Sequence, residues 1–165
     1  MKFIDTEEKE LLAMRNMFIA SEIGGVAFCI DRFEHTDVID FSQRQAAIYA
    51  MKSELADLYK QISLMGGHLL FEFKLPFELD NDSAFLDLVS HFGRFSYALK
   101  HYIRGTENVD RHISLEEEYK LMCKSMHELC SLYSLGWFEI EDLGDSRYKE
   151  RYDAWAKAGR KGLWV

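Results

Sequence analysis

Apolar residues recur along much of the chain at the spacing of amphipathic helices. Steps of three and four residues connect the apolar positions within residues 43–65, 83–104 and 115–135 without interruption. Residues 6–23 are apolar over a wider arc, and residues 146–158 follow Asp145, a residue type that caps helices. An apolar stripe of this kind faces a core or a second helix, so the pattern predicts five helices.

Capping residues and glycines mark the ends of these predicted helices. The capping-box pattern, or a close variant of it, occurs at three starts: Asp5–Glu8, Ser42–Gln45 and Ser114–Glu117. Asp82 or Ser83 can cap the third helix. Glycine, which suits the left-handed backbone after a last helical turn, follows each segment: Gly24, Gly66, Gly105, Gly136 and Gly159. The prediction is a mostly α, single-domain helical bundle that occupies residues 1–165.

Two connecting segments are rich in residues that favour strands. Residues 26–30 read Val-Ala-Phe-Cys-Ile, and residues 69–75 read Leu-Leu-Phe-Glu-Phe-Lys-Leu before the single proline, Pro76. They are expected either to pair as a small two-stranded β-ribbon or to run as apolar connectors.

The overall charge narrows the classes of partner. The 165 residues carry 28 acidic and 20 basic side chains, a formal net charge of −8. Phosphate repels an acidic chain, so nucleic acid is an unfavoured partner. Hydrophobic residues make up 48% of the chain, which is enough for a sizeable core and excludes a disordered protein.

The cysteines and the first residues indicate a cytoplasmic location. The three cysteines, Cys29, Cys123 and Cys130, are too few and too scattered for a disulfide framework. Acidic residues occupy the place where a signal peptide is apolar, and no uncharged run approaches the roughly 18 residues of a membrane helix. We therefore expect a cytoplasmic protein with no membrane segment.

The basic residues are concentrated at the C-terminus, among aromatic residues. Residues 1–145 carry 14 basic and 26 acidic side chains, whereas residues 146–165 carry six basic and two acidic ones. In the last predicted helix Arg147 and Arg151 border a narrow stripe of Tyr148, Tyr152 and Trp155. These residue types are favoured at interface centres, so the helix and tail, residues 146–165, are a candidate docking surface. The alternatives are packing on the protein's own core and stacking on single-stranded nucleic acid.

A second candidate surface is the acidic connector after the first helix. Asp31, Glu34, Asp37 and Asp40 recur there at intervals of about three residues, with Arg32 the only base among them. Such a strip could occupy a basic surface on a partner protein, and a solvated loop is the alternative.

Motifs for the common chemistries are absent. The chain has no Walker-type phosphate loop, dinucleotide fingerprint, nucleophile elbow or zinc signature. Asp87 and His91 share a face of the third predicted helix, and Cys123 and His127 share a face of the fourth. They could form a bundle site, but the two cysteines of the fourth helix are too far apart to ligate one metal. We expect no catalytic residue, no metal and no cofactor.

These observations favour a small, acidic, non-catalytic binding protein, a regulator or inhibitor that acts by contact with another protein. Aromatic residues make up 14% of the chain, and some of them can line an interface, so a homodimer is a further expectation. The alternative is a helical-bundle enzyme or metal-binding protein that uses Asp87 and His91 with Cys123 and His127.

Overall fold

A computed structural model describes residues 4–35, 41–73, 81–106 and 113–160. Within these residues the chain forms five helices and no strand: α1 (Thr6–His35), α2 (Phe41–Leu69), α3 (Ala84–Arg104), α4 (Leu115–Leu132) and α5 (Trp137–Lys157). The prediction of a mostly α bundle of five helices is confirmed.

Two helical hairpins and one added helix make up the bundle. α1 packs along α2, and α3 packs along α4. Both pairs are antiparallel, since Arg15 lies beside Gln61 while the later residue Gly25 lies beside the earlier residue Glu54. α5 runs parallel to α2 and makes only a small contact with α4. Residues of α1, α2, α3 and α4 form one continuous hydrophobic core. Its largest fully buried side chains include Leu12, Ile19, Leu55, Phe95, Tyr119 and Met122.

The ends of α3 and α4 agree most closely with the sequence prediction. α3 ends before Gly105, which has a left-handed backbone with φ of 64°. Ser114 caps α4 by accepting a hydrogen bond from the Glu117 amide. At the start of α1, Asp5 accepts one from the Glu8 amide at 2.8 Å. Local capping chemistry thus sets these three ends, as expected.

The predicted end of the first helix at Gly24 is wrong. α1 continues through Gly24 and Gly25 to His35, so residues 26–30 are helical and form no strand. Val26 and Cys29 are buried at helical spacing from Ile23, which extends the core face of the helix past the glycines. Burial on this face outweighs the roughly 1 kcal/mol that a glycine costs inside a helix.

The second helix also runs past its predicted end. α2 includes Gly66 and Gly67 and reaches Leu69, and residues 70–73 are not a strand; residues 74 and 75 lie outside the described residues. Gly66 is required for packing, because a Cβ atom there would collide with the Tyr119 hydroxyl. At the other end Phe41 precedes Ser42 in the helix, so Ser42 is not its cap.

The last helix begins nine residues earlier than predicted. α5 starts at Trp137 with Gly136 at its N-cap, so Asp145 and Ser146 lie inside it. α4 already ends at Leu132, before the predicted stop at Gly136. Residues 137–145, which include four acidic side chains, therefore form the first part of a helix that packs against α2.

Candidate functional site

Two arginines of the predicted docking helix bind a carboxylate of their own chain. Asp57 of α2 is only 6% exposed. Arg147 donates to both of its carboxylate oxygens at 3.0 and 2.8 Å, and Arg151 donates to Oδ1 at 2.7 Å. This pairing raises the pKa of Arg147 above its usual value. Both guanidinium groups therefore hold α5 on α2.

The aromatic residues of the α5 stripe differ in how far they are buried. Tyr148 is half-buried beneath the Lys60 ammonium group, which lies 5.1 Å from the ring centre. Tyr152 and Trp155 contact each other with ring centres 5.6 Å apart, and Tyr152 is 38% exposed. The structure thus brings the five predicted docking residues together on one helix, with the arginines on its bound side.

A buried acidic cluster lies where α1, α2 and α5 meet. Glu22 of α1 lies near Glu54 and Asp57 of α2 and faces Arg147 and Arg151 of α5. Burial, reinforced by the two neighbouring carboxylates, raises the pKa of Glu22 to about 7. The sequence carried no local signal for this cluster, because its members are up to 129 positions apart along the chain.

The acidic connector is only partly within the described residues. Asp31 and Glu34 are exposed in the last turns of α1, and Asp31 forms an ion pair with His35. Asp37 and Asp40 lie outside the described residues. The described part of the predicted strip, Asp31 and Glu34, therefore lies on the last turns of α1.

The four groups of the enzyme alternative occupy separate environments. Asp87 accepts a hydrogen bond from Asn81, and His91 pairs with the buried carboxylate of Glu118 at 2.8 Å. Cys123 is fully buried, which raises its thiol pKa to about 12. The His127 ring packs against an aromatic ring of α5. Within the described ranges no three histidine, cysteine, aspartate or glutamate side chains are arranged to hold a metal ion.

A groove of about 850 Å³ opens beside the acidic connector. Its walls come from the end of α1, the first half of α2, the residues before α3, and the end of α4 with the residues that follow it. Phe33 and Tyr133 meet edge to face in it at 5.6 Å. Ile48 and Leu135 add apolar surface, and charged side chains stand at the rim: Glu34, Arg44, Lys52 and Asp82. Of the residues of the predicted acidic connector, Glu34 lines this groove, and the groove itself was not expected from the sequence.

The outward side of α1 is a second surface that sequence reasoning missed. Met17 is 71% exposed and Phe28 is 66% exposed, while Glu22 is the only charged residue between Asn16 and Ile30. By length and composition α1 could cross a membrane, and 28% of its most apolar window is buried. Core helices of soluble proteins pass the same test, so a cytoplasmic location stays a prediction.

No protein-family model, no curated protein and no solved structure matches the chain. The function of the protein therefore has to be inferred from its surfaces and side-chain clusters.

Proposed function

We propose that this protein is a small, acidic, non-catalytic binding protein that takes a segment of a partner protein in the groove beside the acidic connector. The observation that supports this most is the groove itself, which combines an apolar floor with charged groups at its rim. Recognition sites for protein segments have this composition, since the apolar floor supplies affinity and the rim supplies orientation.

Glu34 and Asp82 at the rim of the groove favour a partner segment that carries basic residues, while Arg44 and Lys52 at the same rim favour an acidic group on that segment as well. Glu34 lies close enough to Tyr133 to contribute, after burial, to the raised pKa of the phenol. Asp31, one turn earlier in α1, is a further exposed carboxylate at this end of the helix. A net charge of −8 attracts a basic surface over a longer range than any of these contacts. A regulator or inhibitor that covers a basic surface fits these properties.

The scattered positions of Asp87, His91, Cys123 and His127 support a non-catalytic role. Catalysis by such groups requires at least two of them to converge in one pocket. Each of the four has a different neighbour instead, and the thiol of Cys123 is protonated at neutral pH because of its raised pKa.

The experiment is affinity capture from a native extract with wild-type protein and two charge-reversal variants. Glu34→Lys alters the groove, and Glu150→Lys makes the same change at an exposed position of α5. We expect a partner in near-stoichiometric amount with wild-type and Glu150→Lys protein, and at least about tenfold less with Glu34→Lys. The proposal fails if no such partner is captured, or if Glu34→Lys retains it fully.

A further inference from the structure

One face of α1 is apolar and exposed, and over about four turns α1 contributes no charged side chain to it. Glu54 of α2 lies beside this face at Gly25. Met14, Met17, Ser21 and Phe28 lie within roughly 60° of one line along the helix, with Phe18 at its edge. This line is on the opposite side from the residues that α1 buries, such as Leu12, Ile19 and Val26. Gly24 is also exposed on this face, and a Cβ atom added there would meet no atom within 4 Å.

The face contains a hollow and, farther along, an aromatic side chain that protrudes. Met14, Met17, Phe18 and Ser21 line an apolar hollow of about 310 Å³. Their spacing of i, i+3, i+4 and i+7 is that of the hole that receives a side chain when two helices pack knobs into holes. Phe28, 66% exposed, stands about ten residues from the centre of this hollow.

We infer that two copies of this chain associate through α1, antiparallel, with Phe28 of each copy in the hollow of the other. A two-fold axis between Ser21 and Gly24 puts each aromatic ring opposite the hollow of the second copy. The contact is then isologous, which means that the same residues of each copy form both halves of the interface. The small side chains near the axis let the two helix backbones approach closely.

The charges at the ends of the face favour the antiparallel orientation. Glu10 lies on the same line at the N-terminal end, and Arg32 and His35 lie on it at the C-terminal end. Antiparallel pairing brings Glu10 of one copy towards Arg32 of the other, next to the His35–Asp31 pair. Parallel pairing would place like charges side by side, which is unfavourable.

The size of the face sets the expected strength of the dimer. Aromatic side chains bury roughly 150–250 Å² each when fully covered. Met17, Phe18 and Phe28 are already partly covered, being 71%, 41% and 66% exposed, so with the small residues between them they supply at most roughly 500 Å² per copy. A typical stable interface buries roughly 800 Å² per partner. We therefore expect a dimer that dissociates in the micromolar range. A lipid surface is the less favoured occupant, because the net charge of −8 is repelled by anionic headgroups.

The test is the mass of the full chain in solution as a function of concentration, measured by analytical ultracentrifugation. We expect wild-type protein to change from monomer to dimer between about 1 and about 100 µM. Phe28→Lys should raise the dissociation constant at least about 100-fold. Phe138→Lys makes the same change at a side chain of α5 that is 74% exposed, and should dimerise like wild type.

A glycine pair separates loss of the interface from loss of folding. Gly24→Arg should prevent dimerisation while leaving the melting temperature of the monomer equal or higher, since the site is open and arginine favours helix. Gly93→Arg makes the same change at an equally open glycine of α3 and should leave the dimer intact.

Oxidative cross-linking tests the orientation. A mixture of Glu10→Cys and His35→Cys proteins should form the mixed disulfide in preference to either symmetric one, since the native cysteines are buried. The inference is overturned if wild-type protein stays monomeric to about 100 µM, if Phe28→Lys dimerises unchanged, or if symmetric disulfides predominate. Flotation of monomeric protein with neutral phosphatidylcholine vesicles would also overturn it, in favour of a lipid surface.

Discussion

α1 and α5 both pack on α2, but they differ in what they bury and what they expose. α1 contributes apolar side chains to the core and leaves an uncharged apolar face outside. In α5 only Ile140 and Gly144 are buried. The helix is held on α2 by charged groups, among them Arg147 and Arg151 on Asp57, and by the ring of Trp137, which packs on Tyr59 at 5.5 Å. The broad uncharged face of α1 is therefore the stronger candidate for an apolar contact, whereas the two arginines of α5 already bind Asp57.

The largest expected effect comes from removing the carboxylate that holds α5. Asp57→Ala leaves two arginines without their acceptor, and both can turn to solvent, so we expect the free energy of unfolding to fall by about 2–3 kcal/mol. Urea unfolding followed by circular dichroism measures the change. The control is Asp142→Ala, which removes an exposed carboxylate of α5 itself. It should change stability by less than about 0.5 kcal/mol. Equal losses in the two variants would contradict the role of Asp57.

A smaller effect is expected where α5 approaches α2 most closely. A Cβ atom at Gly144 would lie 2.6 Å from the backbone oxygen of Ala56. Because backbone cannot rotate away, Gly144→Ala should lower the free energy of unfolding by about 2 kcal/mol. Faster amide hydrogen exchange in α5, with α3 unchanged, would show that the helix has been displaced. Unchanged exchange in α5 would show that the contact is not as tight as described.

The charge cluster beneath α5 predicts a pH dependence. The pKa of Glu22 is about 7 in the folded protein and near 4.5 in the unfolded chain. At pH values between these two, the folded state therefore binds a proton that the unfolded state has released. Stability from this group therefore falls as pH rises from about 4.5 to about 7, and the cost persists above that range. Glu22→Gln should stabilise the protein by roughly 1–2 kcal/mol at about pH 8, allowing for solvent screening, and by almost nothing at about pH 4.

Urea midpoints of both proteins at the two pH values measure this difference. A gain of the same size at both would show that Glu22 acts by packing and not by charge.

The smallest effect is expected on the outward face of α1. Gly24→Ala meets no atom within 4 Å and replaces a poor helix former with the best one. The monomer should gain about 0.5–1 kcal/mol of stability, the opposite sign to Gly144→Ala. Thermal unfolding at low protein concentration measures it, and a loss of stability would mean that this face is covered within its own chain.

The parts of the fold that depend on local signals could be predicted from the sequence. α3 and α4 have uninterrupted apolar spacing and clear ends at Gly105 and Ser114, and their bounds agree with the prediction to within three residues. α1 was predicted too short because Gly24 and Gly25 resemble a stop. The buried residues Val26 and Cys29 continue the helical spacing beyond them, and that signal was present in the sequence.

The candidate sites were harder to predict because they depend on contacts far apart in the chain. Arg147 and Arg151 resemble free docking residues until Asp57, 90 and 94 positions away, is seen to bind them. The groove arises from four separate segments of the chain. The apolar face of α1 could have been found from the sequence. Helical spacing places Met14, Met17, Ser21 and Phe28 on one side of the helix, and no charged residue of α1 lies between them on that side.

Hydroxyl-radical footprinting at low and high protein concentration tests most directly whether α1 or α5 carries the exposed contact surface. Our account predicts that oxidation of Met17 and Phe28 falls as concentration rises, while Phe138 and Tyr152 on α5 oxidise at a constant rate. Protection of Phe138 and Tyr152 with no change at Met17 and Phe28 would contradict it and identify α5 as the docking helix.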